Sequence, residues 1–127
     1  MELSVEAIAA QRGEVIVSSG AAAANRLGLT AQVPARLVYL TSGRSRKMRL
    51  GKQIVELRHA PRWQFALAQR PGGGAIRALA WLGPDRAETA LQTLKRKLAP
   101  AAFNELVAAA SQLLTWLARS VGKVAHG

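Results

Sequence analysis

Cysteine is absent from the 127 residues, so the chain can form no disulfide, no zinc knuckle and no thiolate nucleophile, and it suits a reducing cytoplasm. Aromatic residues make up only 5% of the sequence, whereas half of it is hydrophobic and rich in alanine. That balance points to a helix-rich, closely packed core rather than an aromatic β-sandwich. Histidine occurs twice, as His59 and His126, and aspartate once, as Asp85. A Ser-His-Asp triad would have to join a strand-end histidine to a residue placed like a helix cap, which argues against that chemistry. The seven acidic residues are scattered, without the clustered carboxylates of metal-dependent hydrolysis. No apolar run approaches the roughly 18 residues of a membrane span. Glu2 and Glu6 stand where a secretory signal would be basic.

Basic residues are abundant. Eighteen Lys and Arg against seven Asp and Glu give a net charge of +11. An excess of that size predicts an anionic partner and is silent on fold. Length and composition suit one domain spanning residues 1–127, without internal repeats or low-complexity linkers.

Hydrophobic spacing and breakers divide the chain as follows. Val5, Ile8 and Ala9 suggest a short helix ending near Gly13, and Glu14 to Val17 a brief strand. Ser18 to Gly20 open a second helix over Ala21 to Leu27, with Gly28 placed to stop it. Three strands are expected at Arg36–Thr41, Arg46–Leu50 and Gln53–His59, the last two joined by Gly51-Lys52 in a type II′ hairpin. A short helical turn follows Pro61. Pro71 to Gly74 reads as a breaker, and a helix runs from Ala75 to Leu82. Asp85 caps the next helix, whose stripe is Ala87, Ala90, Leu91, Leu94 and Leu98. After Pro100 the periodicity is the strongest in the chain, from Phe103 through Leu106, Ala110, Leu114 and Leu117 to Val121, with a frayed tail beyond. The expected architecture is α+β: a short antiparallel β-meander, N-terminal helices and a C-terminal group of helices.

Arg36 to Arg77 holds ten basic residues and one acid, Glu56, a net +9. Arg44, Arg46, Lys52, Met48 and Leu50 share one strand parity; Lys47 and Arg49 have the other. Guanidinium groups suit phosphate because their planar fork donates paired hydrogen bonds, which give affinity without sequence readout. Arg36, Arg44, Arg46, Lys47, Arg49, Lys52, Arg58 and Arg62 are the candidate contacts for nucleic acid or an acidic protein, against the plainer reading of a solvated basic face. Lys95, Arg96 and Lys97 fall in a last helical turn, where cations complement the macrodipole.

Other motifs carry less. Glu56-Leu57-Arg58 faintly matches the E-x-K corner of restriction-type nucleases, but the upstream Asp is missing and a strand-end salt bridge explains it. Gly72 to Gly74 lacks both the P-loop Lys-Ser/Thr and dinucleotide spacing, so a flexible connector is the default. Trp63, Trp81 and Trp116 read as core or edge packing. No catalytic or metal-ligating residue and no cofactor are expected.

Ala23 to Ala60 resembles the characteristic block of AbiEi-type antitoxins, bacterial abortive-infection proteins grouped with DUF6088. The match lies in Asn25, Leu27-Gly28-Leu29, Gln32-Val33-Pro34, Tyr39-Leu40-Thr41, Gly43, Ser45-Arg46 and the G-x-x-I-x-L-R-H run from Gly51 to His59. Ala78 to Gly83 resembles a later family helix. The resemblance implies a cytoplasmic, non-enzymatic antitoxin of a type IV toxin–antitoxin pair. It would oppose a nucleotidyltransferase-like toxin without requiring a stable complex. The family's N-terminal winged helix, which binds the operator, has no counterpart in the sequence, whether the chain is a natural short protein or a truncation. The resemblance makes Leu27, Gly28, Val33, Pro34, Tyr39 and Leu40 structural. Arg46, flanked by Arg44 and Lys47, becomes the expected contact, and reversing all three charges should abolish activity and spare the fold. A small DNA- or RNA-binding module, or a fragment of a transcriptional regulator, is the alternative. The oligomeric state stays open, and no membrane is implied.

Overall fold

The computed structural model describes residues 7, 11–68, 70–109 and 113–126. The expected first helix falls largely outside the described residues. The architecture is α+β, and among the described residues four short strands and five α-helices can be delimited. The strands are β1 (Ile16–Ser18), β2 (Leu37–Thr41), β3 (Arg46–Leu50) and β4 (Gln53–His59). The helices are α1 (Gly20–Arg26), α2 (Pro71–Leu82), α3 (Pro84–Lys97), α4 (Pro100–Ala108) and α5 (Thr115–His126), with a 3₁₀ turn at Arg62–Phe65.

All three expected sheet strands form, and β3 and β4 make the hairpin. Gly51 takes the positive φ (62°) that the first position of a II′ turn requires. The order is not a simple meander, however. It is β1-β2-β4-β3, with β2 and β4 parallel and the other two pairings antiparallel. Burial explains the correction. Val55 and Leu57 on β4 are 2% and 0% exposed, so β4 gains most from a central place. The Arg- and Lys-rich β3 goes to the edge, where its charges stay hydrated and discourage pairing with another chain.

The 42–45 link can therefore cross the end of β4, and a polar knot fixes the crossing. His59 donates its backbone N–H to Ser45 Oγ (2.8 Å), and its Nδ1 lies 2.7 Å from the Gly43 carbonyl. Ala60 N–H reaches the Thr41 carbonyl. Glu14 closes the knot by accepting from the Thr41 hydroxyl and from Arg46 Nη2, both at 2.9 Å.

Strand register gives the sheet two faces. One carries Ile16, Tyr39, Thr41, Val55, Leu57, Arg46 and Met48; the other carries Val17, Val38, Leu40, Ile54, Glu56, Arg58, Lys47 and Arg49. The first face holds its own small cluster of Ile16, Val55 and Leu57.

The main core lies among α2 to α5, centred on Ile76, Leu79, Leu91, Leu94, Leu106, Leu117 and Val121. Ala87, Ala90, Leu91 and Leu94 of the α3 stripe are buried as their spacing predicts, whereas Leu98 follows the helix end and is only partly buried. Three helix boundaries differ from expectation. First, Pro71 starts α2 at N1, and the three glycines form its first turns instead of a breaker. A Cβ on Gly72 would stand 2.7 Å from Leu67 Cδ1, and one on Gly73 would strike the Ala68 carbonyl, so the glycines permit packing. Second, Asp85 lies in the first turn of α3 and does not cap it; the N-cap is Gly83, at φ 88°. Third, the long C-terminal stripe belongs to two helices, α4 ending at Ala108 and α5 beginning at Thr115; α5 runs to His126 where a frayed tail was expected. Among the described residues no helix is long and apolar enough to cross a membrane.

α1 and α2 meet through small residues. Ala23, Ala24 and Ala78 are fully buried against one another. A Cβ on Gly20 would stand 2.6 Å from the Arg77 carbonyl oxygen and 2.7 Å from Trp81 Cβ. Ser19 caps α1 by accepting from Ala22 N–H, and Gly28 follows its end at φ 73°.

Candidate nucleic-acid interface

Two adjoining hollows, of about 680 and 520 Å³, lie between the β1–β2 side of the sheet and the α1–α2 pair, and they share Pro34, Arg36, Val38 and Arg77. The larger adds Arg26, Arg70 and Tyr39, the smaller Arg58, Trp63 and Trp81. Neither has an Asp or Glu in its lining. Five arginines and three aromatic residues thus line the two adjoining hollows, together termed the cleft.

The arginines differ in how they are held. Arg77 projects from the middle of α2 and is only 2% exposed. Its Nε donates to the Ser18 carbonyl (2.9 Å), and Nη1 donates to the carbonyls of Ala68 (3.1 Å) and Gln64 (3.4 Å). Leu67 and Ala68 carry positive φ (60° and 38°), and this strained turn presents the Ala68 carbonyl. Among the described residues no carboxylate neutralises Arg77. Burial and the nearby Arg26 guanidinium push its pKa down to about 10, which leaves it charged at neutral pH. Among the described residues Arg26, from the last turn of α1, is held by a single 3.4 Å bond from Nη2 to Ser18 Oγ.

The other cleft arginines share acids. Arg58 is paired to Glu56 at 3.0 Å, with Arg36 more loosely at 3.9 Å, and Arg70 to Glu105 at 3.3 Å. The hydrogen bond from Arg58, then the charges of Arg58, Arg36 and Lys47, hold the Glu56 carboxyl below its usual range. Glu56 and Arg58 therefore form the salt bridge expected of the strand.

The residues singled out from sequence are dispersed. Arg36 and Arg58 reach the cleft. Lys47 and Arg49 are exposed on the sheet face that carries Arg58, extending a basic track away from it. Arg44 and Lys52 are exposed in the turns flanking β3, and Arg62 lines a separate hollow with Val15, Ser42 and His59. Arg46 lies on the opposite face. Its side chain is 14% exposed and ion-paired to Glu14, whose own side chain is 15% exposed. The Arg46 bond leads, with Thr41 and Arg12 adding, in lowering the Glu14 pKa. Arg46 thus stands as an internal tie, not an open contact.

Arg26, Arg70, Arg77 and the cleft tryptophans were not among those candidates. Arg77 has a sequence signal, a lone cation in an otherwise small and apolar helix, PGGGAIRALAWL. Trp81 also departs from packing alone, being 41% exposed on the cleft. Among the described residues no three His, Asp or Glu side chains converge as metal ligands.

These features define a small, basic α+β domain whose distinctive surface is an arginine- and aromatic-lined cleft. A family profile for DUF6088, described as a family of unknown function, matches residues 1–102, and the chain belongs to that family. No curated protein and no solved structure matches it.

Proposed function

We propose that the chain is a non-enzymatic antitoxin domain that binds nucleic acid through the arginine-lined cleft, and that it so opposes a nucleotidyltransferase-like toxin. The observation that carries the binding is the cleft itself: five arginines, with Tyr39, Trp63 and Trp81, and no acid in the lining. Guanidinium groups supply phosphate contacts, and aromatic faces supply base stacking that tolerates any sequence. The exposed Lys47 and Arg49 continue the field over the open sheet face. The antitoxin role rests on the resemblance of the Ala23–Ala60 block alone, since DUF6088 is described as a family of unknown function.

The test is fluorescence anisotropy with single-stranded RNA and DNA, tRNA and duplex DNA over a salt series. Three to five phosphate contacts on a single strand give a log–log salt slope of about −2 to −3.5. Arg58→Glu with Lys47→Glu should weaken binding, flatten the slope and lower toxin neutralisation in co-expression. Absence of binding at low salt refutes the nucleic-acid reading. Full neutralisation by the non-binding variant separates the two activities and refutes their linkage.

A further inference from the structure

The larger hollow holds two cations that no acid answers among the described residues. Arg26 and Arg77 both turn their Nη2 atoms toward Gly74, lying 3.2 and 4.0 Å from the point where a Cβ on that residue would stand. Glycine at 74 leaves the space between them open. Like charges repel, so their convergence costs free energy unless something anionic sits there. Arg77 has its Nε and Nη1 spent on backbone carbonyls, and Nη2 has no hydrogen-bond partner among the described residues. A guanidinium 98% withdrawn from the surface, with an unspent donor facing a cavity, is half of a built anion site.

The rest of the lining sets the ligand's size and chemistry. Arg70 and Arg36 stand at the rim, and Tyr39, Leu37 and Leu27 give an aromatic and apolar wall. A volume near 680 Å³ falls in the range for a small-molecule or cofactor pocket. We propose that this pocket binds the phosphomonoester of a single nucleotide, with Arg26 and Arg77 gripping the phosphate and Tyr39 flanking the nucleoside. A monoester fits better than an internal phosphodiester because it brings close to two negative charges to the Arg26–Arg77 pair, which has no acid beside it among the described residues. A duplex presents its phosphates on a convex surface and cannot deliver one to a buried guanidinium; a strand end or a free nucleotide can. The inference rests on the preceding functional reading only for the source of that nucleotide.

Isothermal titration of the full chain tests both sources. The probes are AMP, a single-stranded octanucleotide with a 5′-phosphate, the same strand with a 3′-phosphate, and the strand with neither. A terminal phosphate is expected to tighten binding at least tenfold over the bare strand. Arg26→Gln, on an exposed residue that should not disturb the fold, removes that preference. Arg77→Lys keeps the charge but loses the planar fork, and lowers phosphate affinity; thermal unfolding shows whether it remains folded. If it does not, Arg26→Gln and Gly74→Ala, which narrows the cradle, decide the matter. Equal binding of all three strands, unchanged in Arg26→Gln, overturns the phosphate pocket and leaves the nucleic-acid reading standing. AMP binding without any strand binding upholds the pocket and overturns that reading. Binding of none overturns both.

Discussion

Replacing Arg46 by methionine should destabilise the fold far more than it weakens nucleic-acid binding. Methionine keeps an aliphatic stem beside β4 but removes the guanidinium that holds Glu14 at 2.9 Å. The carboxylate is then left with the Thr41 hydroxyl and a side-chain exposure of 15%. Removing one partner of a buried ion pair costs about 3–5 kcal/mol, because the other charge is stranded. The surviving Thr41 bond and the residual exposure place this case near the lower end, at about 3 kcal/mol. For a domain of this length that corresponds to a fall in Tm of about 12 °C. Adding Glu14→Gln removes the stranded charge and should recover about half of the loss, an interaction that a double-mutant cycle reads directly. Arg46→Glu sets two carboxylates face to face and should not fold, so only Arg44→Glu with Lys47→Glu is a clean test of the β3 surface. The assay is urea and thermal unfolding by circular dichroism, with anisotropy run in parallel. An Arg46→Met protein of unchanged stability and sharply weakened binding would refute the reasoning and restore Arg46 as a contact.

Three further outcomes are expected. Glu14 has a lowered pKa, so its contribution to stability is present above the ordinary carboxyl value of 4.5 and is lost as pH falls through its folded value; an acid titration of Tm should show this limb, and Glu14→Gln should flatten it. Trp81→Ala should weaken single-strand binding by about 1–3 kcal/mol, the worth of one stacked base, with little change in Tm because the ring is 41% exposed; unchanged affinity removes it from the interface. Gly20→Ala should cost about 1–3 kcal/mol in urea unfolding by driving α1 off the α2 backbone, and a neutral result would show that the two helices separate freely.

The sequence by itself determined the local elements. Hydrophobic spacing, breakers and the Gly51 turn defined β3, β4 and their hairpin to the residue, because strand pattern and turn chemistry are local. Ser19, Gly28 and the α3 stripe likewise marked their helices, since caps and helical spacing are read within a few residues. It also determined the basic excess and its concentration between Arg36 and Arg77. Tertiary structure alone decided which strand lies in the centre, because β4 wins that place by the burial of Val55 and Leu57, a property of the whole sheet. It decided that three glycines fit inside a helix, since only the neighbouring Leu67 and Ala68 show that a side chain has no room at Gly72 and Gly73. It divided the arginines by use: Arg46 tied inward by an acid 32 residues away, Arg77 buried in a helix yet lining the cleft, Arg26 brought opposite it from α1. A side chain's charge is written in the sequence, but whether that charge is already neutralised depends on which distant acid the fold places beside it.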